Sequence, residues 1–442
     1  MAVSVKPSQA IALVAVLVLA LVLALYADPG DAGLAVYADN NASTPPFPEV
    51  VQAIASVTAA CYANPSSIHA LGRASHELLD ASRKRFAELL GARQCELVYT
   101  SGATEANNMA IRGALAQSRG RRSEGEGEGE GEGEGEGEGE GEGGRRYRVV
   151  TTNIEHASIY QTLHSLAESD QLDVVSVPVE QGTGLLDPAR VVAALSAART
   201  DMLCILVANN EVGTLQDVGP LAAACRTQRV HLHLDVTQLV GKYPVDLHAL
   251  GCDTATLSAH KFHGPKGVGA LYVRDGVHIA TCTTGGGQEM SMRAGTENLA
   301  GIRGAVVALE KCTALLKRGA DVRVRAMRDH VQDALLHGLP EGAVRVNGDT
   351  SRRLYNTLSV CFPGVNARQQ LIPILDSASV YVNVGCACSQ GKPSATLSAL
   401  GLTPDEQQGS IRISFGMINT PREAKKLARV LVASVRTLTA RP

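Results

Sequence analysis

The chain has 442 residues, 45% hydrophobic and 19% charged, which is enough for two or three domains with sizeable cores. Its formal net charge of −3 argues against a nucleic-acid-binding protein. The ten cysteines are irregularly spaced and form no paired CxxC pattern, which excludes a small disulfide scaffold and a structural zinc site and favours a reducing compartment.

Residues 10–27 form an 18-residue run without a charged side chain. A run of this length barely spans a bilayer, so a signal anchor, a cleaved signal peptide and an organelle-targeting leader remain open. We predict a membrane-directed or targeting segment over residues 1–36. The flanking charges would send the rest of the chain across the membrane, which conflicts with a reducing compartment and leaves the orientation open.

From Tyr37 onward, helical and strand-like patterns alternate. Leucines and a phenylalanine recur at helical spacing from Leu71 to Leu90 and predict a helix that ends at Gly91. Apolar runs of strand length follow at Glu96–Thr100, Arg148–Thr152, Leu203–Ala208, His231–Val236, Thr254–Ser258 and Gly269–Val273. Several runs are continuously apolar, as in strands covered on both faces. The alternation predicts an α/β protein with a mostly parallel sheet.

A Gly-Glu repeat from Glu124 to Gly143 interrupts this alternation and holds ten of the 44 acidic residues. Glycine is entropically costly to order and like charges repel, so we predict a disordered surface insert over residues 120–146. It would separate a helix over Glu105–Ala116 from the next strand. Without the repeat, 41 basic residues outnumber 34 acidic ones, which suits an anionic ligand as well as ordinary surface charge.

Polar motifs follow the predicted strands. Ser101 to Glu105 forms a small turn before a helix, a phosphate site in outline or an ordinary helix cap. Lys261 follows Ser258 and His260, two donors suited to a phosphate. A lysine placed there is arranged to hold an aldehyde cofactor as a Schiff base, although most lysines are solvated surface groups.

Asp235 ends an apolar strand and would need a cationic partner such as a protonated pyridine nitrogen, unless it caps the next helix. His156 would stack on a flat ring, act as an acid or base, or serve as a structural hydrogen-bonding group. Asn210 would supply amide donors or a turn. Because ligands bind at the carboxyl ends of parallel strands, we expect these residues to share one site.

Two further candidates lie near the C-terminus. Cys388 follows the apolar run Ser379–Val384 in a small, polar segment where a stabilised thiolate would be reactive. A buried cysteine, or a Cys-x-Cys metal or redox pair with Cys386, is the alternative. Arg412 stands on an alternating strand, where its guanidinium suits a substrate carboxylate or an ordinary ion pair.

Together the motifs resemble the class V aminotransferase group, specifically the cysteine desulfurases and selenocysteine lyases, from about Tyr37 to about Ala424. The matching stretches are Asp39-Asn-Asn-Ala-Ser-Thr-Pro, Asn64-Pro-Ser-Ser-Ile-His, Thr100-Ser-Gly-Ala-Thr-Glu, Asn209-Asn-Glu-Val-Gly, Ser258-Ala-His-Lys, Gly285-Gly-Gly-Gln-Glu and Arg293-Ala-Gly-Thr-Glu-Asn. The resemblance implies the fold type I of transferases dependent on pyridoxal 5′-phosphate (PLP). A large domain over residues 37–315 would carry a seven-stranded, mostly parallel sheet, with a small α/β domain over residues 316–442. Residues 37–50 would pack with the small domain.

The same resemblance implies the roles of the site residues. Lys261 would hold PLP covalently, Asp235 would pair with its ring nitrogen, and His156 would stack on the ring. Gln238 and Asn210 would lie near the ring hydroxyl oxygen, with Asn210 also near the substrate carboxylate. The residues implied to hold the phosphate are Ala103, Thr104, Ser258, His260 and, from the second subunit of a homodimer, Thr296.

For the substrate, the resemblance implies that Arg412 binds the amino-acid carboxylate and that the Cys388 thiolate takes the sulfur of L-cysteine, leaving L-alanine. The persulfide would then pass to an acceptor in iron–sulfur cluster or thio-cofactor biosynthesis. Two departures stand out: only Ser-Gln-Gly-Lys separates Cys388 from Pro393, and position 386 is Cys where Ser or Ala is usual. A selenocysteine lyase acting on L-selenocysteine and a non-catalytic, membrane-tethered scaffold are the alternatives.

Overall fold

The structure, a computed structural model, describes residues 33–125, 146–169, 172–385 and 393–440. Its strands in chain order are β1 (Val36–Tyr37), β2 (Leu97–Thr100), β3 (Tyr147–Thr152), β4 (Leu172–Val177), β5 (Met202–Leu206), β6 (His231–Asp235), β7 (Thr254–Ser258), β8 (Gly269–Val273), β9 (Arg345–Val346), β10 (Thr357–Cys361), β11 (Val380–Tyr381) and β12 (Ser410–Ser414).

The helices in chain order are α1 (Pro48–Ala60), α2 (Ala70–Leu89), α3 (Ala103–Gly125), α4 (Ala157–Glu168), α5 (Pro188–Ala197), α6 (Gly219–Gln228), α7 (Leu247–Leu250), α8 (Leu299–Lys317), α9 (Ala320–Gly338), α10 (Ile372–Ser377), α11 (Ala395–Ala399), α12 (Pro404–Gln408) and α13 (Pro421–Thr439). Helix α2 confirms the helix predicted up to Gly91. Helix α3 begins two residues earlier and ends nine residues later than predicted, so the predicted insert does not begin at residue 120.

Seven described strands form the central sheet in the order β2-β8-β7-β6-β5-β3-β4. Strand β8 runs antiparallel to both neighbours, and the other pairs are parallel. The six predicted strands are confirmed to within two residues at each end. The edge strand β4 was not predicted, because Leu172 and Val177 alone are buried in it and its central residues are exposed or half-buried.

The strands are apolar throughout because both faces of the sheet are covered. In β5, Leu203 and Ile205 belong to the main core, which on the neighbouring strands is covered by α5 and α6, while Met202 and Cys204 pack in a cluster with residues of α3 and α4. Such two-sided burial fixes each strand against its helices and gives the sheet a rigid carboxyl edge.

A second core joins β10, β12, α9 and α13 with the beginning of the described chain. Val36 and Ala38 lie in this core, and Asp39 forms a bridge with Ser414. Phe47 and Val50, a few residues later, belong to the main core instead. Residues 37–50 therefore cross between the two cores. The domain boundary at residue 315 stays a prediction; α8 continues to Lys317.

The predicted N-terminal segment over residues 10–27 and residues 126–145 of the Gly-Glu insert lie outside the described residues. Among the helices that the structure describes, none has the length and hydropathy needed to cross a bilayer.

Candidate functional site

A cavity of about 440 Å³ opens at the edge of the sheet where β2, β5, β6 and β7 end. Ten of the predicted site residues line it, so the structure brings the polar residues that follow the strand ends together in one cavity. They are Ala103, Thr104, His156, Asn210, Asp235, Gln238, Ser258, His260, Lys261 and Arg412. Thr296 does not line it, and Cys388 lies outside the described residues.

One wall of the cavity is the N-terminus of α3. The first N–H groups of a helix have no partner within the helix, and the helix dipole is positive at this end. The turn before α3 packs tightly against β8: a Cβ at Gly269 would come within 2.7 Å of the Gly102 Cα. Ser258 and His260 line the same cavity. These groups fit an anionic phosphate.

His260 is neutral in this cavity at neutral pH. Burial, together with the charges of Lys261, Lys266 and Lys242, lowers its pKa to about 4. Its Nδ1 lies 3.3 Å from the Ser43 hydroxyl. A neutral imidazole can still donate one hydrogen bond to a phosphate oxygen.

Lys261 ends a short 3₁₀ turn that follows β7 directly. Its Nζ donates to the carbonyl oxygens of Asn41 (2.8 Å) and Ala42 (2.9 Å). Both acceptors line the cavity, so the amino group is held at the cavity wall by neutral oxygens.

Asp235 is 2% exposed at the end of β6. Its carboxylate accepts from the Thr237 amide (2.9 Å) and from Asn107 Nδ2 (3.0 Å). The carboxylate is thus buried, oriented and directed into a cavity with room for a cationic partner such as a ring N–H⁺.

Asn107 joins Asp235 to a longer buried network. Its Nδ2 also donates to Ser158 Oγ (2.8 Å), so its Oδ1 is the group that faces His233 Nε2 at 2.8 Å. Burial lowers the pKa of His233 to about 3, so the ring is neutral and donates from Nε2 to Asn107. Its Nδ1 then accepts from the Thr254 hydroxyl. No local motif indicates this role for Asn107 or His233.

His156 caps α4 and lines the cavity. Its Nδ1 accepts from the Ser158 amide at 3.1 Å and lies 2.8 Å from the Ser158 hydroxyl. The cap fixes the ring orientation and leaves Nε2 as the nitrogen that carries hydrogen. Because Ser158 also accepts from Asn107, His156 and Asp235 belong to one network.

Arg412 is 2% exposed on β12 and reaches the cavity from the second core. It pairs with the Asp39 carboxylate at 2.5 Å and donates to the Asn210 carbonyl at 2.9 Å. Its Nε is buried and has no hydrogen-bond partner within the part of the chain that the structure describes. The ion pair and the bond to Asn210 hold the guanidinium at the cavity, where its charge and fork of donors fit an incoming carboxylate.

Glu211 connects the cavity wall to both described ends of the segment that carries Cys388. Its Oε2 accepts from Ser394 Oγ (2.6 Å), and a Cβ at Gly385 would lie 3.6 Å from the same oxygen. Burial raises the pKa of the Glu211 carboxyl, and the charges of Arg412 and His156 oppose this rise. Residues 386–392, including Cys386 and Cys388, lie outside the described residues.

Thr296 lies on the exposed surface, where its hydroxyl accepts from Asn64 Nδ2 at 3.4 Å. Its implied role toward another subunit's phosphate stays a prediction. The residues missed by sequence reasoning are those that support the cavity from behind. They are Asn107, Ser158, His233 and the buried Lys242.

The chain resembles known proteins over most of its length. The family model "Aminotransferase class-V" matches residues 36–124 and 142–427. The "Cysteine desulfurase" of Cereibacter sphaeroides is 37% identical over 399 residues, covering 90% of this chain and 94% of the relative. The "Cysteine desulfurase IscS" of Methanosarcina thermophila is 33% identical over 408 residues, covering 91% and 93%. A solved "NIFS-LIKE PROTEIN" aligns with a TM-score of 0.78 at 30% identity, over 90% of this chain and 98% of that structure.

Proposed function

The chain belongs to the class-V aminotransferase family, and from that premise we propose that it is a cysteine desulfurase. It uses PLP, converts L-cysteine to L-alanine, and takes the sulfur onto its own cysteine. The observation that carries this proposal is the convergence of Lys261, Asp235 and His156 on one buried cavity beside the N-terminus of α3.

The residues present fit PLP by their donor set. An amino group, a buried carboxylate, an imidazole held by its Nδ1 and a helix N-terminus meet in one cavity of suitable size. When bound, the cofactor supplies an electron sink for the negative charge that develops on the substrate α-carbon.

The protein's own groups would divide the remaining work. Lys261 would hold the cofactor covalently and carry a proton to or from the substrate. Asp235, oriented by Thr237 and Asn107, would keep the ring nitrogen protonated. The neutral His260 and the first turn of α3 would hold the phosphate, and Arg412 would bind the substrate carboxylate.

We assign the sulfur-accepting role to Cys388. Its thiolate would attack the substrate sulfur, forming the S–S bond of a persulfide as the substrate Cβ–S bond breaks, and protonation of the carbon left behind would give alanine. What supports this assignment is the position of Gly385 and Ser394, the described residues on either side, against Glu211 near the cavity. The persulfide sulfur would serve iron–sulfur cluster or thio-cofactor biosynthesis.

A homodimer is a further part of the proposal. A groove of about 870 Å³ lies on the surface near α2, and Ile68 and Met290 line it with 91% and 46% of their surface exposed. Apolar side chains exposed to this degree favour a second copy as occupant. Thr296 is exposed nearby, as its role toward a second subunit would require. Light scattering of the purified chain would give twice the monomer mass.

For localisation, we propose that residues 10–27 direct the chain to a membrane or an organelle while the catalytic domain stays in a reducing compartment. The support is the charge-free run itself and the eight described cysteines, all of which are free thiols. Fractionation of cells expressing the full chain, against a variant that begins at residue 37, tests this proposal.

The test of function is alanine release from L-cysteine under reducing conditions, with persulfide measured on the protein. We expect turnover with the full chain, loss of both products in Lys261→Ala, and loss of persulfide with retained cofactor absorbance in Cys388→Ser. Turnover of L-selenocysteine alone, with L-cysteine acting only as an inhibitor, would identify a selenocysteine lyase. No cofactor absorbance even after added PLP would identify a non-catalytic scaffold.

A further inference from the structure

Behind the cavity wall lies a second lysine, Lys242, that the mechanism above does not use. It is 6% exposed and follows Gly241 in the turn after β6. Gly241 adopts a φ of +76°, and a Cβ there would lie 2.2 Å from the Phe262 Cβ. Only glycine therefore fits at 241, and the turn directs the Lys242 side chain inward rather than to solvent.

The Lys242 amino group contacts Gln238. Its Nζ donates to Gln238 Oε1 at 2.8 Å and to the Gln238 carbonyl at 3.2 Å. In its ammonium form Lys242 only donates, so the side-chain oxygen of Gln238 is the atom that faces it. Gln238 Nε2 then points the other way and donates to the Asn41 carbonyl at 3.0 Å.

This arrangement leaves one Nε2 hydrogen for a ligand. An amide carries two donor hydrogens, and the Asn41 carbonyl takes one. Gln238 lines the cavity, and Asn41 also accepts from Lys261 Nζ, so the amide stands beside the amino group that would bind the cofactor. If the side-chain amide of Gln238 were flipped, its oxygen would face the cavity and its hydrogen bond to the Asn41 carbonyl would be lost.

We propose that Lys242 is a positioning residue that holds Gln238 as a hydrogen-bond donor toward the ring oxygen of bound PLP. The inference rests on the proposed function, since it assigns a role in the same cofactor site. Lys242 touches Gln238 rather than the cavity, and it acts through the orientation of that amide and through its own charge.

Charged and titratable groups reach Lys242 from several elements. Burial and the charges of Lys261 and of Arg412 on β12, opposed by Cys312 on α8, together lower the pKa of Lys242 to about 7. Lys317 on α8 and the acidic Asp321 on α9 line a second cavity with Lys242. Lys242 in turn lowers the pKa of His260 and His263, which follow β7. The charged groups around Lys242 are therefore mainly cationic. Without Lys242, a further positive charge in the cavity would cost less free energy.

These charges determine whether loss of Lys242 raises or lowers the pH at which the bound cofactor titrates. The lysine-bound cofactor is most cationic when its linkage nitrogen is protonated, and nearby positive charge disfavours that form. A donor to the ring oxygen disfavours it as well, because it competes for the same oxygen. Removing Lys242 removes both influences, so the pH midpoint of the cofactor's visible absorbance band should rise.

The experiment titrates that band in purified holoenzyme. Lys242→Met should raise the midpoint by about one pH unit, the size expected for one nearby charge and one hydrogen bond. Lys242→Gln keeps a donor for Gln238 but no charge, and should give a smaller rise. In a Gln238→Leu background the effect of Lys242→Met should shrink, because the amide is no longer there to orient.

The matched control is Lys426→Met. Lys426 is 8% exposed and donates to the Leu34 carbonyl, far from the cavity, so its loss should leave the midpoint unchanged. A midpoint within about 0.2 units of the unaltered protein in Lys242→Met would overturn the proposal. If that variant does not fold, an unchanged midpoint in Lys242→Gln overturns it. No visible band in the unaltered protein would instead overturn the proposed function.

Discussion

The two edges of the central sheet carry charged side chains in different ways. At the carboxyl edge, Asp235, Lys261 and Arg412 surround one cavity. Each has a partner that a further residue also bonds: Asn107 also bonds His233, the Asn41 carbonyl also accepts from Gln238, and the Asn210 carbonyl also accepts from Asn41. At the amino edge, a cavity of about 530 Å³ is lined by as many charged groups, including Arg226 and Arg274. There, Arg274 is half exposed and pairs with Asp253, and Arg226 lies on the surface.

The difference shows that burial and shared hydrogen-bond partners, rather than the number of charges, mark the site. Exposed ion pairs stabilise a protein by about 0–1 kcal/mol, because water screens them. Buried polar groups depend on one another. When one group is removed, its partner stays buried without a hydrogen bond, because no water can take the place of the missing group. Substitutions at the two edges should therefore differ strongly in effect.

The largest effect should come from Lys261→Ala at the carboxyl edge. We expect alanine release to fall to assay background and the visible absorbance of the bound cofactor to disappear, because Lys261 carries the covalent linkage, whereas Lys266, the other lysine lining the cavity, is exposed. Residual absorbance at the wild-type wavelength would show that another lysine holds the cofactor.

Asp235→Asn should have the second-largest effect on activity. The amide can still bond Thr237 but cannot stabilise a protonated ring nitrogen, so activity should fall by about 10²–10³-fold, a loss of roughly 3–4 kcal/mol of transition-state stabilisation. The rate of alanine release at saturating L-cysteine measures this. An unchanged rate would remove Asp235 from the site.

Asn107→Leu tests the support behind the site. It leaves His233 Nε2 and one Asp235 oxygen without their partner, which should lower the free energy of unfolding by about 1–3 kcal/mol. Denaturant unfolding measures it. The adjacent Asn108→Leu is the control, since Asn108 bonds the Thr104 carbonyl, the Thr162 hydroxyl and Arg112 but neither Asp235 nor His233; an equal loss in both variants would contradict the network.

The network should also make stability depend on pH. The pKa of His233 is lowered to about 3 in the fold, against 6.5 when unfolded. Below pH 6.5 the unfolded chain therefore binds a proton that the folded chain does not, and stability falls as the pH drops toward 3. Between pH 7 and 5, the unfolding free energy of the wild type should fall by ~2 kcal/mol more than that of His233→Gln. Equal pH dependence in both would show that His233 is not held neutral.

The smallest effect should come from Arg226→Ala at the amino edge. We expect a change in unfolding free energy within about 0.5 kcal/mol and no change in cofactor absorbance or alanine release. Loss of activity here would break the comparison between the edges and indicate a second functional surface.

Sequence reasoning located most of the site because its residues follow strand ends, and the carboxyl ends of parallel strands must meet. It missed Asn107 because helix α3 brings that residue to Asp235 only through tertiary packing. It missed Lys242 because nothing local distinguishes a buried lysine from an exposed one. Sequence reasoning also missed strand β4, because this edge strand has too few buried residues to show an apolar pattern.

The central claim, that the cavity holds PLP through Lys261, is tested most directly by reducing the holoenzyme with borohydride and mapping its peptides by mass spectrometry. The account predicts the mass of the reduced cofactor on the peptide containing Lys261. The cofactor mass on Lys242 or Lys266, or on no lysine at all, would contradict it.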